Sequence, residues 1–240
     1  MQIVRQDSPN WDERADGKAV QYVILHYTGM ESADAARHRL CDPAAKASSH
    51  YMIERDGKIW QFVGEDKRAW HAGQSFWRGE RDMNGVSVGI ELVNRGHQFG
   101  YETFPDAQIG VCGDLILDIM HRHAVPASNI IGHSDIAPMR KEDPGEYFPW
   151  KALAARGIGL WGEPAAEHEG AMDIAEIRRS LRQIGYECPE AGEYDRELRL
   201  CLLAFQRHWH QDNLTGLPNA GTAARLRLYR ALYSAIIGSK

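Results

Sequence analysis

No run of about 18 apolar residues occurs in this 240-residue chain, so no membrane-crossing helix is expected. Cysteine is scarce. Cys41, Cys112, Cys188 and Cys201 are scattered and form no CxxC pair, which argues against a disulfide framework or a cysteine zinc site. Cys112 and Cys201 fall within helical patterns and read as small core hydrophobes. There is no excess of positive charge. The formal net charge of −5 disfavours a phosphate-backbone partner, so no nucleic acid is expected. The opening stretch, MQIVRQDSPNWDERADGK, lacks an apolar h-region and does not read as a signal peptide. No internal repeat or low-complexity tract is visible.

What is present fits one large domain or two smaller ones. The composition shifts at residues 162–171, GEPAAEHEGA, a small, polar stretch that reads as a linker. Before it, strands are expected near 20–27, 48–54, 58–63 and 86–93. A helix is expected near 104–123, where Ile109, Cys112, Leu115, Ile116 and Ile119 follow helical spacing, and a short one near 150–156. Residues 1–161 therefore predict an α/β (α+β) unit, a central mixed β-sheet flanked by helices, with a site at one sheet edge. After the linker the pattern is helical. Ile174, Ile177, Leu181 and Ile184 form one stripe, closed by Gly185. Leu198, Cys201, Leu202, Phe205 and Trp209 form a second. Leu226, Tyr229 and Tyr233 form a third, with Thr222 as N-cap. Residues 172–240 thus predict a separable small three-helix bundle.

One set of residues stands out. His26 ends the apolar strand VILHYTG, and GHSDIAPMRKEDPG carries His133 and, ten residues on, Asp143. Two imidazoles and one carboxylate suit a catalytic zinc, which keeps a fourth position open for water. Either histidine alone would read as a satisfied core residue. The second segment is dense in turn formers (Gly132, Ser134, Asp135, Pro138, Pro144, Gly145) and predicts a loop. If it is extended, Lys141 and Asp143 point the same way, and the lysine can donate to a developing oxyanion. A solvated RKED charge cluster is the plainer alternative. In SVGIELVN, alternation puts Glu91 opposite the larger apolar set of Val86, Val88, Ile90 and Leu92. Tyr22, Ile24 and His26 share a strand face, so His26 can reach the side of the sheet that carries Glu91. A carboxylate there is costly unless paired or functional; a salt-bridged structural glutamate and a catalytic base both remain open.

The segments VILHYTG, SSHYMIERDGKIWQFV, RAWHAGQSFW, SVGIELVN and GHSDIAPMRKEDPG, in that order, resemble the zinc-dependent N-acetylmuramoyl-L-alanine amidases of the type-2 family over roughly residues 15–160. The resemblance implies Zn²⁺ held by His26, His133 and Asp143, an acidic catalytic residue at Glu91, and an oxyanion-side lysine at Lys141. It implies hydrolysis of the amide between N-acetylmuramic acid and L-alanine in peptidoglycan or muropeptides. Met139 departs from the family, whose members often have glycine in that turn. The segments IRRSLRQIGY and LRLCLLAFQRHW resemble, more weakly, a helical peptidoglycan-binding domain; a generic docking or dimerisation module is the alternative.

Trp70, His71 and Trp77 in RAWHAGQSFW, with His50 in SSHYMI, are candidate substrate contacts, since indoles stack on sugar rings. Trp70 as a core residue and His50 as a partner within the sheet are the plainer readings. His38, His97, His121, His123, His168, His208 and His210 read as surface residues, with His208 and His210 bracketing Trp209 as an adventitious metal pair. Two rival functions remain: a peptidoglycan sensor without zinc, disfavoured by the full residue set, and a zinc peptidase cutting within the stem peptide. As written the chain is expected in the cytoplasm, with the periplasm or cell wall open because intact wall lies outside.

Overall fold

A central strand apolar on both faces, Tyr22–Tyr27, sets the architecture. In chain order the elements are β1 (Ile3–Arg5), β2 (Trp11–Glu13), β3 (Tyr22–Tyr27), α1 (Ala33–Cys41), β4 (Tyr51–Ile53), β5 (Ile59–Gln61), β6 (Lys67–Ala69), α2 (Met83–Val86), β7 (Ser87–Leu92), α3 (Gly96–Phe99), α4 (Asp106–His123), β8 (Ile130–Gly132), α5 (His133–Ile136), α6 (Trp150–Ala154), α7 (Ile174–Ile184), α8 (Arg196–Trp209) and α9 (Ala220–Gly238). The computed structural model describes residues 2–15, 17–165 and 170–238; His168 and the middle of the 162–171 linker lie outside the described residues.

Six strands form one mixed sheet in the order β1-β5-β4-β7-β3-β8, and β2 pairs with β6 in a small second sheet. β4, β7, β3 and β8 run parallel, while β5 is antiparallel to β4. Val23 and Leu25 of β3 and Val88, Ile90 and Leu92 of β7 face one layer, where they pack on Cys112, Leu115, Ile116 and Ile119 of α4. Tyr22 and Ile24 face the opposite layer. The expected fold class, the four strands and the helices near 104–123 and 150–156 all appear, with trimmed ends.

The opposite layer corrects the domain reading. Tyr22, Ile24, Trp77, Met83, Val86, Ile131 and Ile136 share one continuous core with Ile177, Leu181, Ile184, Tyr186, Leu202, Phe205, Trp209, Tyr229 and Tyr233. Residues 172–240 are helical as expected, and their apolar stripes close on one another, as Phe205 and Trp209 do on Tyr229, but they also close on the sheet. From Cys201 to Trp209 every residue of α8 is buried, including Gln206, Arg207 and His208. Polar bonds cross the same boundary. Arg78 donates its backbone N–H to Gly185 O (3.0 Å) and Nε–H to Ile184 O (3.0 Å). Trp209 Nε1–H donates to Leu160 O (3.2 Å), and Gln211 Nε2–H to Phe148 O (2.7 Å).

The caps follow local chemistry. Asp173 and Asp195 accept from Glu176 N–H and Leu198 N–H at the starts of α7 and α8. α9 is capped by Asn219, whose Oδ1 accepts from Thr222 N–H at 2.9 Å. Thr222, expected as the cap, is buried within the first turn, where its hydroxyl accepts from Gln206 Nε2 (3.0 Å).

Candidate active site

His26 is the fifth residue of β3, directly beside Glu91 in the parallel register with β7. Both lie near the carboxyl ends of central strands, where ligands of open α/β sheets bind. The site is thus at the strand ends, not along a sheet edge as expected. β8 delivers the chain into α5, whose first residue is His133. The segment expected as a plain loop therefore begins with a short strand and a helical turn. Arg140 and Lys141 then donate backbone N–H groups to Ala137 O (3.1 and 3.0 Å), closing a turn that returns Asp143 to the site. Lys141 lies in that turn rather than in an extended stretch, yet it still lines the same cavity as Asp143. Met139 keeps a negative φ, so the turn needs no glycine there.

Three atoms converge. His26 Nδ1, His133 Nδ1 and Asp143 Oδ2 are 2.9–3.0 Å from one another, and all three residues are buried. The hydrogen bonds behind them fix which atoms carry protons. His133 Nε2 faces only the Ala72 carbonyl (3.1 Å), an acceptor, so it must donate. Ser87 donates its hydroxyl to Met83 O (2.6 Å), leaving its oxygen to accept from His71 Nε2 (3.2 Å). His71 Nδ1 is then bare and accepts from His26 Nε2–H (3.0 Å). Both Nδ1 atoms therefore present lone pairs to a carboxylate oxygen. Three lone pairs at that spacing repel unless a cation lies between them. The spacing is close to the roughly 3.3 Å edge of a tetrahedron with ligand bonds near 2 Å. The residues fit a metal through their donor set, and their outer nitrogens are tied as ligating histidines usually are.

The electrostatics agree. Burial, then the nearby His133, push the His26 imidazole down to about 4, so it is neutral at neutral pH. Burial alone would raise the Asp143 carboxyl, and only positive charge or a proton at the His133 and His26 positions holds it low; with both Nδ1 atoms bare, a cation between them would have to supply that charge. Burial, then the Asp143 carboxylate, push Glu91 well above the usual carboxylate range. Among the described residues Glu91 Oε2 has no hydrogen-bond partner. That excludes the salt-bridged structural reading and leaves a carboxylate on the cavity wall.

The cavity holds about 740 Å³ and is lined by His26, Trp70, His71, Glu91, Lys141 and Asp143 among others. The other expected substrate contacts divide. Trp70 is half-buried on the wall, with Nε1–H held by Asp12 Oδ2 (2.7 Å). His71 touches the cavity but is committed on both nitrogens, so it orients His26 rather than meeting substrate. His50 is fully buried; Nδ1 accepts from Gly89 N–H (3.0 Å) and Nε2 bonds Lys67 O (3.1 Å), which makes it a sheet residue. Trp77 is also fully buried, edge-on to Tyr186 with ring centroids 5.1 Å apart, and no sugar can stack on it. Sequence reasoning missed Ser87 and Ala72 O as orienting groups. The small residues Ser87 and Gly89, on the same face of β7 as Glu91, were the available hint of a bulky neighbour. His97, read as a surface residue, lines the cavity and bonds the Tyr27 hydroxyl (2.9 Å). His208 is buried, not at the surface.

A family model described as N-acetylmuramoyl-L-alanine amidase matches residues 16–146. The N-acetylmuramoyl-L-alanine amidase AmiD of Escherichia coli (strain K12) is 35% identical, covering 92% of this chain and 88% of that protein. The 1,6-anhydro-N-acetylmuramyl-L-alanine amidase AmpD of Haemophilus influenzae is 33% identical over 60% of this chain. A solved complex of E. coli AmiD with anhydro-N-acetylmuramic acid-L-Ala-D-gamma-Glu-L-Lys superposes with TM-score 0.80 at 33% identity, covering 92% of this chain and 93% of that one. AMPDH3 from Pseudomonas aeruginosa gives TM-score 0.80 at 31% identity, with 90% and 92% covered. With its histidine and aspartate donors meeting at the strand ends, and with likeness running through the C-terminal helices, this chain belongs to the N-acetylmuramoyl-L-alanine amidase family.

Proposed function

We propose that the chain is a zinc hydrolase that cleaves the amide between N-acetylmuramic acid and L-alanine, with His26, His133 and Asp143 as metal ligands. The observation that carries this reading is the set of three lone pairs, the two imidazole ones fixed by hydrogen bonds behind them, at the mouth of a cavity that also holds an unpaired carboxylate. A zinc ion there would acidify a water toward pKa about 7 and polarise the scissile carbonyl. Glu91 takes the proton of the attacking water and passes it to the leaving nitrogen; burial, then Asp143, raises its proton affinity. Lys141 Nζ donates to the tetrahedral oxyanion. Trp70 offers an indole edge to the sugar or peptide.

The sensor reading loses ground because no member of the donor set is missing. The peptidase reading is disfavoured by the muropeptide ligands of the similar structures. The helices of 172–240 are retained as a candidate peptidoglycan-binding surface, tested by whether the whole protein pellets with sacculi.

Mass spectrometry of digested muropeptides is the deciding experiment. Release of an intact stem peptide beginning with L-alanine is expected; cleavage inside the peptide would overturn the assignment. Asp143→Ala should lose both metal and activity, and full zinc occupancy in that variant would remove Asp143 from the ligand set.

A further inference from the structure

The C-terminal helices reach two of the three metal ligands through one buried carboxylate and one ion pair. Asp135 is fully buried in α5, two residues after His133. Its Oδ2 accepts from Gly132 N–H (2.8 Å) and from His208 Nδ1 of α8 (2.7 Å). Its Oδ1 accepts from the Tyr186 hydroxyl (2.6 Å), just after α7. The His208 ring is stacked between Trp150 and Trp209, each with centroids 3.8 Å away, so it cannot turn from this bond. The neighbouring residue of α8, Arg207, donates Nη2–H to Glu142 Oε1 (2.7 Å), next to Asp143. A backbone bond links the two arms: Ser134 N–H donates to Asp143 O (2.8 Å).

We propose that Tyr186, Arg207 and His208 are positioning residues for the metal site, setting α5 and the Glu142–Asp143 turn so that His133 and Asp143 meet His26. This rests on the zinc reading above. The physical case is one of tolerance. A four-residue helix has almost no intrinsic stability, because its nucleation is unfavourable and its ends are open. Something outside must hold α5, and the described structure supplies three donors to one buried carboxylate. Leaving such an acceptor unpaired is costly, so the arrangement is stiff. The segment that sequence patterning suggests is detachable, and that resembles a wall-binding domain, is therefore, in this chain, part of the scaffold of the catalytic centre.

The test compares Tyr186→Phe and Arg207→Gln with Tyr229→Phe. The last removes the hydroxyl that accepts from Gly162 N–H in the same helical layer, but it does not touch α5 or the turn. Zinc affinity is read by competition with a chromogenic chelator, and ligand geometry by the d–d spectrum of the cobalt(II) form. Both are taken well below the unfolding midpoint, on variants whose near-ultraviolet circular dichroism matches the parent. Tyr186→Phe and Arg207→Gln should bind zinc about 10–100-fold more weakly, with an altered cobalt spectrum. Tyr229→Phe should match the parent. If one variant fails to fold, the other decides. Unchanged affinity and spectrum in the folded variants, or an equal loss in Tyr229→Phe, would overturn the positioning role. A parent protein that binds no zinc would instead overturn the metal reading itself.

Discussion

Gly89 lies directly beneath the His71 imidazole: a Cβ at residue 89 would stand 2.4 Å from the ring's Cγ. Glycine here makes room for the histidine that fixes the His26 tautomer. Gly89→Ala should push His71 off His26 and leave His26 Nε2 without its acceptor. We expect zinc affinity to fall about tenfold or more, the usual scale for losing an outer-shell partner. Chelator competition measures this, and parent-like affinity would show that His71 is not needed to orient His26.

Glu91→Gln keeps shape and removes the titrating group. Metal content should stay at the parent level while kcat falls by roughly 10² or more. Lys141→Met should likewise retain metal and lose roughly 10² in kcat if its ammonium is the main oxyanion donor. Elemental analysis alongside turnover on a soluble muropeptide separates the roles. Near-parent turnover in either metal-replete variant would take that residue out of the chemistry.

Truncation after residue 165 would uncover Tyr22, Ile24, Trp77, Met83, Val86, Ile131 and Ile136. Each fully buried side chain of this size contributes about 1.5–3 kcal/mol. Together they approach the whole stability of a domain, about 5–15 kcal/mol. The shortened protein should aggregate or lose near-ultraviolet circular dichroism. A soluble, cooperatively melting, active fragment would restore the separable-tail reading.

Glu65 gives a pH prediction away from the site. Its Oε1 accepts from the Tyr51 hydroxyl (2.7 Å) and Arg122 Nη2 (2.9 Å); Oε2 meets His123 Nε2 (2.5 Å) and Arg122 Nη1. Burial alone would raise its carboxyl, but Arg122, His123 and Tyr51 outweigh it and bring it from 4.5 to about 2. A lowered folded pKa means the stabilisation is full above about 4.5 and is lost as pH falls toward 2. Glu65→Gln should therefore cost about 1–3 kcal/mol at neutral pH. The gap in melting temperature from the parent should narrow below about pH 4.5 and close only as pH approaches 2. A gap that stays constant across that range would rule out this coupling.

That His26, His133, Asp143, Glu91 and Lys141 line one cavity was legible from residue type, local pattern and the family resemblance together. Alternation alone puts Glu91 on the polar side of β7, and the structure sets it beside His26. Trp77, His50 and His208 were misread because their burial comes from segments far away in sequence. Trp77 is covered by Tyr186 and Tyr233, and His208 by Trp150. A polar run such as QRHWH looks solvent-facing until a second layer closes over it. The linker at 162–171 was read as a boundary between cores. A polar connector does not show that the apolar stripes beyond it face only each other. The 130–132 strand was hidden by its length, three residues being too few for periodicity to register.

The ligand triangle also has a topological meaning. His26 and His133 are 107 positions apart, and Asp143 is 117 from His26. A cation bound at their meeting point would close a loop across most of the sheet, much as a covalent cross-link does. Loop closure of that length removes conformational freedom from the unfolded chain, and any ion that binds only the folded form adds stability in proportion to the logarithm of its concentration. Metal supply would then set how long the protein survives as well as how fast it works. A metal-starved cell would hold fewer copies of this chain, not merely slower ones.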